Sequence, residues 1–118
     1  MGQAVAKLSD AQIASALKQV PDWGESGDAI QRTYQFPDFV RSMAFVSAVA
    51  TEAEKAQHHP DILIRYSRVT LTLSTHDAGG ITIKDFELAT RCDRLAQSVV
   101  GPAVPPKAAA PRKPKPTL

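Results

Sequence analysis

A chain of 118 residues and 12.7 kDa, 43% hydrophobic, has room for one domain with a real but small core. Its formal charge of +2 hides an asymmetry: Lys107, Arg112, Lys113 and Lys115 stand among the last eighteen residues with no acid, leaving the body at −2, which excludes a basic nucleic-acid reader for the domain itself. A single cysteine, Cys92, excludes an internal disulfide, and no apolar run approaches the roughly 20 residues that cross a bilayer.

Ser9-Asp10-Ala11-Gln12 reads as a capping box, with Ser9 as N-cap and Gln12 reaching back. Ile13, Ala16, Leu17 and Val20 follow at helical spacing, and Pro21 is expected to end that helix. Trp23 to about Phe36 predicts a hairpin, with turn chemistry over Gly24 to Asp28 and strand preference at Ile30, Tyr34 and Phe36. Pro37 suits the first turn of a second helix, Asp38 to Gln57. Phe39, Val40, Met43, Val46, Ala50 and Ala53 form its main apolar stripe, with Phe45, Val49 and Ala56 to one side. That much apolar surface exceeds what one sheet face covers, which predicts either a well-buried helix or one that also meets a second subunit. His59-Pro60 is expected to stop it.

Ile62, Ile64 and Tyr66 alternate with Leu63 and Arg65. Val69, Leu71 and Leu73 alternate with Thr70, Thr72, Ser74 and His76, predicting a strand with one face on a core and the other toward solvent or ligand. Asp77-Ala78-Gly79-Gly80 is a loop, and Thr82-Ile83-Lys84-Asp85 is a second capping box. The helix it opens, to about Val100, buries Phe86, Leu88, Ala89, Cys92, Leu95, Ala96 and Val99, with Cys92 as a small hydrophobe. This order predicts an α+β two-layer domain over residues 1–100, a four-stranded antiparallel sheet with three helices on one face. From 101 to 118 the composition turns to Pro, Lys and Ala, six of the nine prolines included, which predicts a disordered tail. No charged-then-apolar leader opens the chain, and Ala6 stands where a myristoylation signal at Met1-Gly2 needs Ser or Thr, so the expected location is the cytoplasm.

All three histidines fall in one constellation: Glu54, His58, His59, Pro60, Tyr66, Ser74, Thr75, His76, Asp77 and Asp85. Imidazole titrates nearest neutral pH, and its concentration beside carboxylates and hydroxyls points to proton transfer. A zinc site is the weaker reading, because adjacent His58 and His59 point apart and no His-x-x-x-His pair or cysteine cluster accompanies them. Asp85 has a plain alternative as the helix-capping partner of Thr82, and Tyr66 as a packing residue of its strand.

The spacing Glu54-x3-His58-His59-Pro60-x5-Tyr66-x9-His76-x8-Asp85 resembles the signature of the pterin-4a-carbinolamine dehydratases. The words Ala53-Glu54-Lys55, Leu73-Ser74-Thr75-His76 and Asp77-Ala78-Gly79-Gly80 resemble it too, and the similarity runs from about Leu8 to Val99. That resemblance implies dehydration of a 4a-hydroxytetrahydropterin to a quinonoid dihydropterin and water, in support of tetrahydrobiopterin recycling. It implies no metal and no organic cofactor. It makes His58, His59 and His76 the catalytic histidines, with His58 and His76 the acid/base pair and His59 positioning substrate. It gives Glu54, Ser74, Thr75 and Asp85 to binding and orientation, Asp85 by orienting a histidine. It also implies a homodimer or homotetramer, with neither nucleic acid nor membrane as a partner. The resemblance leaves two alternatives: a protein-interaction module acting as dimerisation cofactor of a transcription factor, and a relative working in another pterin pathway such as molybdopterin metabolism. One departure stands out, since Ile62 occupies the place of a tryptophan common in the family.

Overall fold

The computed structural model describes residues 5–100. The expected tail at 101–118 and the Met1-Gly2 terminus lie outside the described residues. The elements run α1 (Asp10–Leu17), β1 (Gly24–Ser26), β2 (Ala29–Gln35), α2 (Phe39–Ala56), β3 (Asp61–Arg65), β4 (Arg68–Leu73), a 3₁₀ turn at His76–Ala78, and α3 (Ile83–Val100). The four strands form one antiparallel sheet in the order β1-β2-β4-β3, and the α+β two-layer reading holds. No helix among the described residues is long and apolar enough to cross a membrane.

Register assigns the two faces of the sheet, because residues opposite each other in an antiparallel pair point to the same side. Ile30 pairs with Leu73, Arg32 with Leu71 and Tyr34 with Val69 on β2 and β4, while Ile62 pairs with Leu71 and Ile64 with Val69 on β3 and β4. Ile30, Tyr34, Val69, Leu71 and Leu73 are buried with Phe45 and Val49 of α2 and Leu88, Ala89 and Cys92 of α3, so this face carries the helices. The other face carries Gln31, Thr33, Thr70, Thr72, Asp61 and Leu63. Gln31 Nε2 donates to Thr72 Oγ1 at 3.0 Å, and the hydroxyls of Thr33 and Thr70 meet at 2.7 Å, so this open face is polar and internally bonded.

Several boundaries differ from the sequence reading. The first capping box forms as expected, but α1 ends at Leu17, well before Pro21, and buried Val20 sits in the turn that follows. Gly24 is a strand residue, and the hairpin turns at Gly27 (φ 59°) and Asp28 instead. Pro37 precedes the helix, since Asp38 is the N-cap of α2 and accepts from Arg41 N–H.

The end of α2 is not set by His59-Pro60. Gln57 adopts a left-handed conformation (φ 53°); its N–H bonds to Glu54 O and the His58 N–H to Ala53 O, a Schellman closure. Gln57 Nε2 also donates to Glu54 O at 2.8 Å, a second bond to the carbonyl that the Gln57 N–H already reaches.

The α2 stripe is displaced as well. Ser42, Phe45, Val49 and Ala53 are its buried positions, whereas Phe39 (47% exposed), Val40 (75%) and Met43 (39%) face out. Val49 is therefore enclosed by its own chain and belongs to the core, not to a subunit interface. The apolar excess expected of this helix lies instead over its first turns.

One polar hub escaped the sequence reading. Asp93 Oδ1 on α3 accepts from Trp23 Nε1 at 3.0 Å, from Arg32 Nη1 at 2.8 Å and from the Tyr34 hydroxyl. Arg32 lies 4.1 Å from the Tyr34 ring centroid. Burial first, then the bond to Asp93, holds the Tyr34 phenol far above its ordinary pKa, so it serves as a permanent donor that ties α3 to β2. Burial and the nearby acids Asp93 and Glu52 push the Cys92 thiol up to about 12, which leaves it unreactive at neutral pH.

The displaced stripe is testable by chemical denaturation. Phe45→Ala is expected to lower the unfolding free energy by about 3–5 kcal/mol, the usual cost of emptying a core aromatic. Phe39→Ala is expected to cost less than about 1 kcal/mol. Equal costs in urea titrations would show that α2 is rotated from the orientation described.

Candidate functional site

Asp85 is fully buried, and its two oxygens hold three elements together. Oδ2 accepts from Thr82 N–H at 2.9 Å, as the capping box requires, and from the Thr75 hydroxyl at 2.9 Å. Oδ1 lies 2.6 Å from His58 Nε2, whose N–H donates to it. Thr82 Oγ1 meets Thr75 Oγ1 at 2.7 Å and accepts from Lys84 N–H at 3.2 Å, one position earlier than a reciprocal capping box uses. Capping the helix and holding a histidine, posed as alternatives from sequence, are thus both done by this one carboxylate.

The adjacent histidines separate because the chain passes the sheet edge between them. His58 follows the Schellman turn and is buried on the helix side against Asp85. His59 is exposed, and its Nε2 lies 2.6 Å from Glu54 Oε2, a carboxylate from the last turns of α2. Pro60 then leads directly into β3.

His76 does not lie on a strand. β4 ends at Leu73, Thr75 bridges to Gly80, and His76 opens the 3₁₀ turn that Gly79 closes at φ 76°. This turn carries His76 over the end of the open face. There a cleft of about 250 Å³ is lined by His59, Asp61, Thr72, Ser74 and His76. Asp61 and Thr72 are cross-strand partners on that face.

His58 lines a second hollow of about 250 Å³, with Lys55, Ala56, Lys84, Glu87, Leu88 and Arg91, between the end of α2 and the start of α3. Thr75 is buried and spends its hydroxyl on Asp85 and Thr82 and its N–H on Gly80 O. Ser74 lines the cleft while its hydroxyl donates to Asp28 O at 2.9 Å. Tyr66 sits in the β3–β4 turn at φ 54°, with the whole of β3, roughly 16 Å of strand, between it and His59. Ile62 faces the helix side opposite Leu71 and is not among the cleft residues. Asp61 and Thr72 are the cleft residues that the sequence reading passed over; strand register was the missing information.

Chemically, the cleft pairs two imidazoles with a carboxylate and hydroxyls at a wet sheet edge. Such a set can move protons to and from a bound organic ring. Among the described residues no three His, Cys, Asp or Glu side chains converge as a metal site.

Comparison with known proteins adds a family. The model of the family described as pterin 4 alpha carbinolamine dehydratase matches residues 6–95. A protein of Thermomicrobium roseum is 55% identical over 92 residues, 78% of this chain and 99% of its own length, and one of Nocardia farcinica is 56% identical over 90 residues, 76% and 95% respectively. Both bear the name "Putative pterin-4-alpha-carbinolamine dehydratase". Among solved structures, a transcriptional coactivator/pterin dehydratase from Brucella melitensis superposes with TM-score 0.74 at 33% identity, covering 76% of this chain and 98% of that one. A pterin dehydratase-like protein identified as a RuBisCO assembly factor in the alpha-carboxysome superposes with TM-score 0.56 at 27% identity, covering 64% and 89%.

The Asp85 network carries its own test. Asp85→Ala strands the His58 N–H, the Thr75 hydroxyl and the Thr82 N–H, and is expected to cost at least about 3 kcal/mol in unfolding free energy. Glu54→Ala removes only an exposed partner of His59 and is expected to leave stability within about 0.5 kcal/mol of the parent. Thermal and urea unfolding of the two variants measures the contrast.

Proposed function

This chain belongs to the pterin 4 alpha carbinolamine dehydratase family, and on that premise we propose that it removes water from a 4a-hydroxytetrahydropterin to give a quinonoid dihydropterin. The observation that carries the reading is the cleft at the open sheet edge that His59 and His76 both line. The reaction needs two proton movements and no redox change. The 4a-hydroxyl leaves as water once an imidazolium protonates it. The N5 proton passes to a neutral imidazole as the C4a=N5 bond forms. Two imidazoles, exchanging protons with solvent after each turnover, supply both.

Within this reading His59 and His76 are the groups that touch the substrate. The resemblance implies a pairing of His58 with His76; this reading takes His59 in place of His58, supported by His59 and His76 lining one cleft while His58 lines the other hollow. Glu54 holds one nitrogen of His59 and leaves Nδ1 for the ring. His58 and Asp85 position the turn from which His59 projects.

A second reading, a protein-interaction module, is favoured by the exposed Phe39, Val40 and Met43 on the first turns of α2. Apolar side chains grouped on one helix turn suit a protein partner. The same surface is our candidate for self-association, now that Val49 is assigned to the core. The names of the two structural neighbours, coactivator and assembly factor, accord with such a role.

Turnover of synthetic 4a-hydroxytetrahydropterin by the purified chain separates the readings. His59→Ala and His76→Ala are each expected to lower kcat by roughly 10²–10⁴-fold, the scale of a positioned acid or base. Near-normal kcat in both would sink the assignment. Loss confined to His58→Ala, with His59→Ala active, would return the pair to His58 and His76.

A further inference from the structure

The cleft holds one group that neither the histidine chemistry nor the internal bonding uses. Apart from His76, whose imidazole the proposed proton transfer uses, each other polar side chain in it is committed, wholly or in part. Thr72 Oγ1 already accepts from Gln31, Ser74 Oγ donates to Asp28 O, and one nitrogen of His59 is held by Glu54. Asp61 has no hydrogen bond or ion pair from its side chain among the described residues, although it lines the same space as both histidines. It is exposed at the first position of β3, opposite Thr72, and register points its carboxylate onto the open face.

Aspartate is a poor strand former, so its presence in the first position of a strand calls for a reason. One reason is edge protection, since a charge on an edge strand discourages pairing with another sheet. Edge protection does not require that the charge line the cleft. Ligand recognition does. A pterin ring presents, on the edge away from C4a, an N3–H beside an exocyclic 2-amino group. These two parallel donors match the two oxygens of a carboxylate, as the guanidinium fork does.

We infer that Asp61 is the specificity-determining residue of the cleft, its carboxylate receiving the N3–H and 2-amino donors of the pterin ring while His59 and His76 act at the opposite side of that ring. The inference rests on the dehydratase reading above. Asp61 is a positioning residue and not an acid or base: it holds an edge at which no bond changes. Its removal therefore weakens binding more than it slows the chemical step.

The test uses the full chain, 6-methyl-7,8-dihydropterin, and its 2-oxo counterpart 6-methyl-7,8-dihydrolumazine, which lacks the amino donor. Binding is read by fluorescence titration and turnover with 4a-hydroxytetrahydropterin. The parent protein is expected to prefer the pterin by at least about tenfold, since an unpaired charged acceptor penalises the analogue. Asp61→Asn is expected to reduce that preference to within about twofold and to raise KM about tenfold, with kcat changed less than about threefold. Asp61→Glu is expected to keep part of the preference. An unchanged preference in Asp61→Asn, with a native thermal midpoint, would overturn the inference and leave the residue as an edge charge only. A fall in kcat without a change in binding would overturn it too, by making Asp61 a proton-transfer group. Should the parent neither bind the pterin nor turn over, the dehydratase reading itself fails; normal parent behaviour with an indifferent variant fails this inference alone.

Discussion

A single buried carboxylate sets the geometry of this molecule's candidate site. Asp85 sits at the start of α3, and its oxygens bond to the helix's own N-terminus, to Thr75 beyond β4 and to His58 beyond α2. An ionised carboxylate out of water is costly unless its oxygens are satisfied, so all three partners must be in place at once. That requirement couples the end of one helix, the start of another and the exit of a strand. The Schellman turn at Gln57 and the 3₁₀ turn at His76 are the local conformations that let the chain meet it.

With those ends fixed, the sheet edge divides two neighbouring imidazoles. His58 is drawn inward by Asp85, and His59 is left to the open face with Glu54. Proline at position 60 then commits the chain to β3, whose first residue faces the same side as His59. A two-residue histidine pair thereby serves two purposes, one internal and one toward the ligand. The Asp93 hub performs the comparable structural task at the far side of α3, where Trp23, Arg32 and Tyr34 anchor it to the hairpin. α3 is thus pinned by one carboxylate in its first turn and another about two turns further on, which keeps its N-terminus, and so the cleft, in register with the sheet.

The surface of α2 places the family's catalytic and interaction readings on separate ground. Its exposed apolar residues lie in the first turns, near Asp38, while His58 and His59 follow its last turn. Roughly 27 Å of helix, at 1.5 Å per residue over 18 residues, separates its two ends. Phe39, Val40 and Met43 thus lie at the opposite end of α2 from the cleft.

Pattern alone determined much of this protein. The alternation of Val69, Leu71 and Leu73 with threonines defined a strand with one core face, and two capping boxes marked helix starts at Ser9 and Thr82. These are local signals, governed by side-chain period and by orphan N–H groups, and they survive without tertiary context. The histidine spacing likewise indicated the family. Tertiary structure decided the rest. Which stripe of α2 is core depended on rotation of the helix against the sheet, and Phe45 and Val49 prevailed over the longer stripe of Phe39, Val40 and Met43. Whether Tyr66 joins the histidines depended on strand direction, which carries it away. Asp61, Thr72 and Asp93 gained their roles from partners 11 to 70 residues distant, through register and helix docking. No window of sequence contains those distances, because the two-residue period of a strand says which residues share a face but not which strand lies beside it.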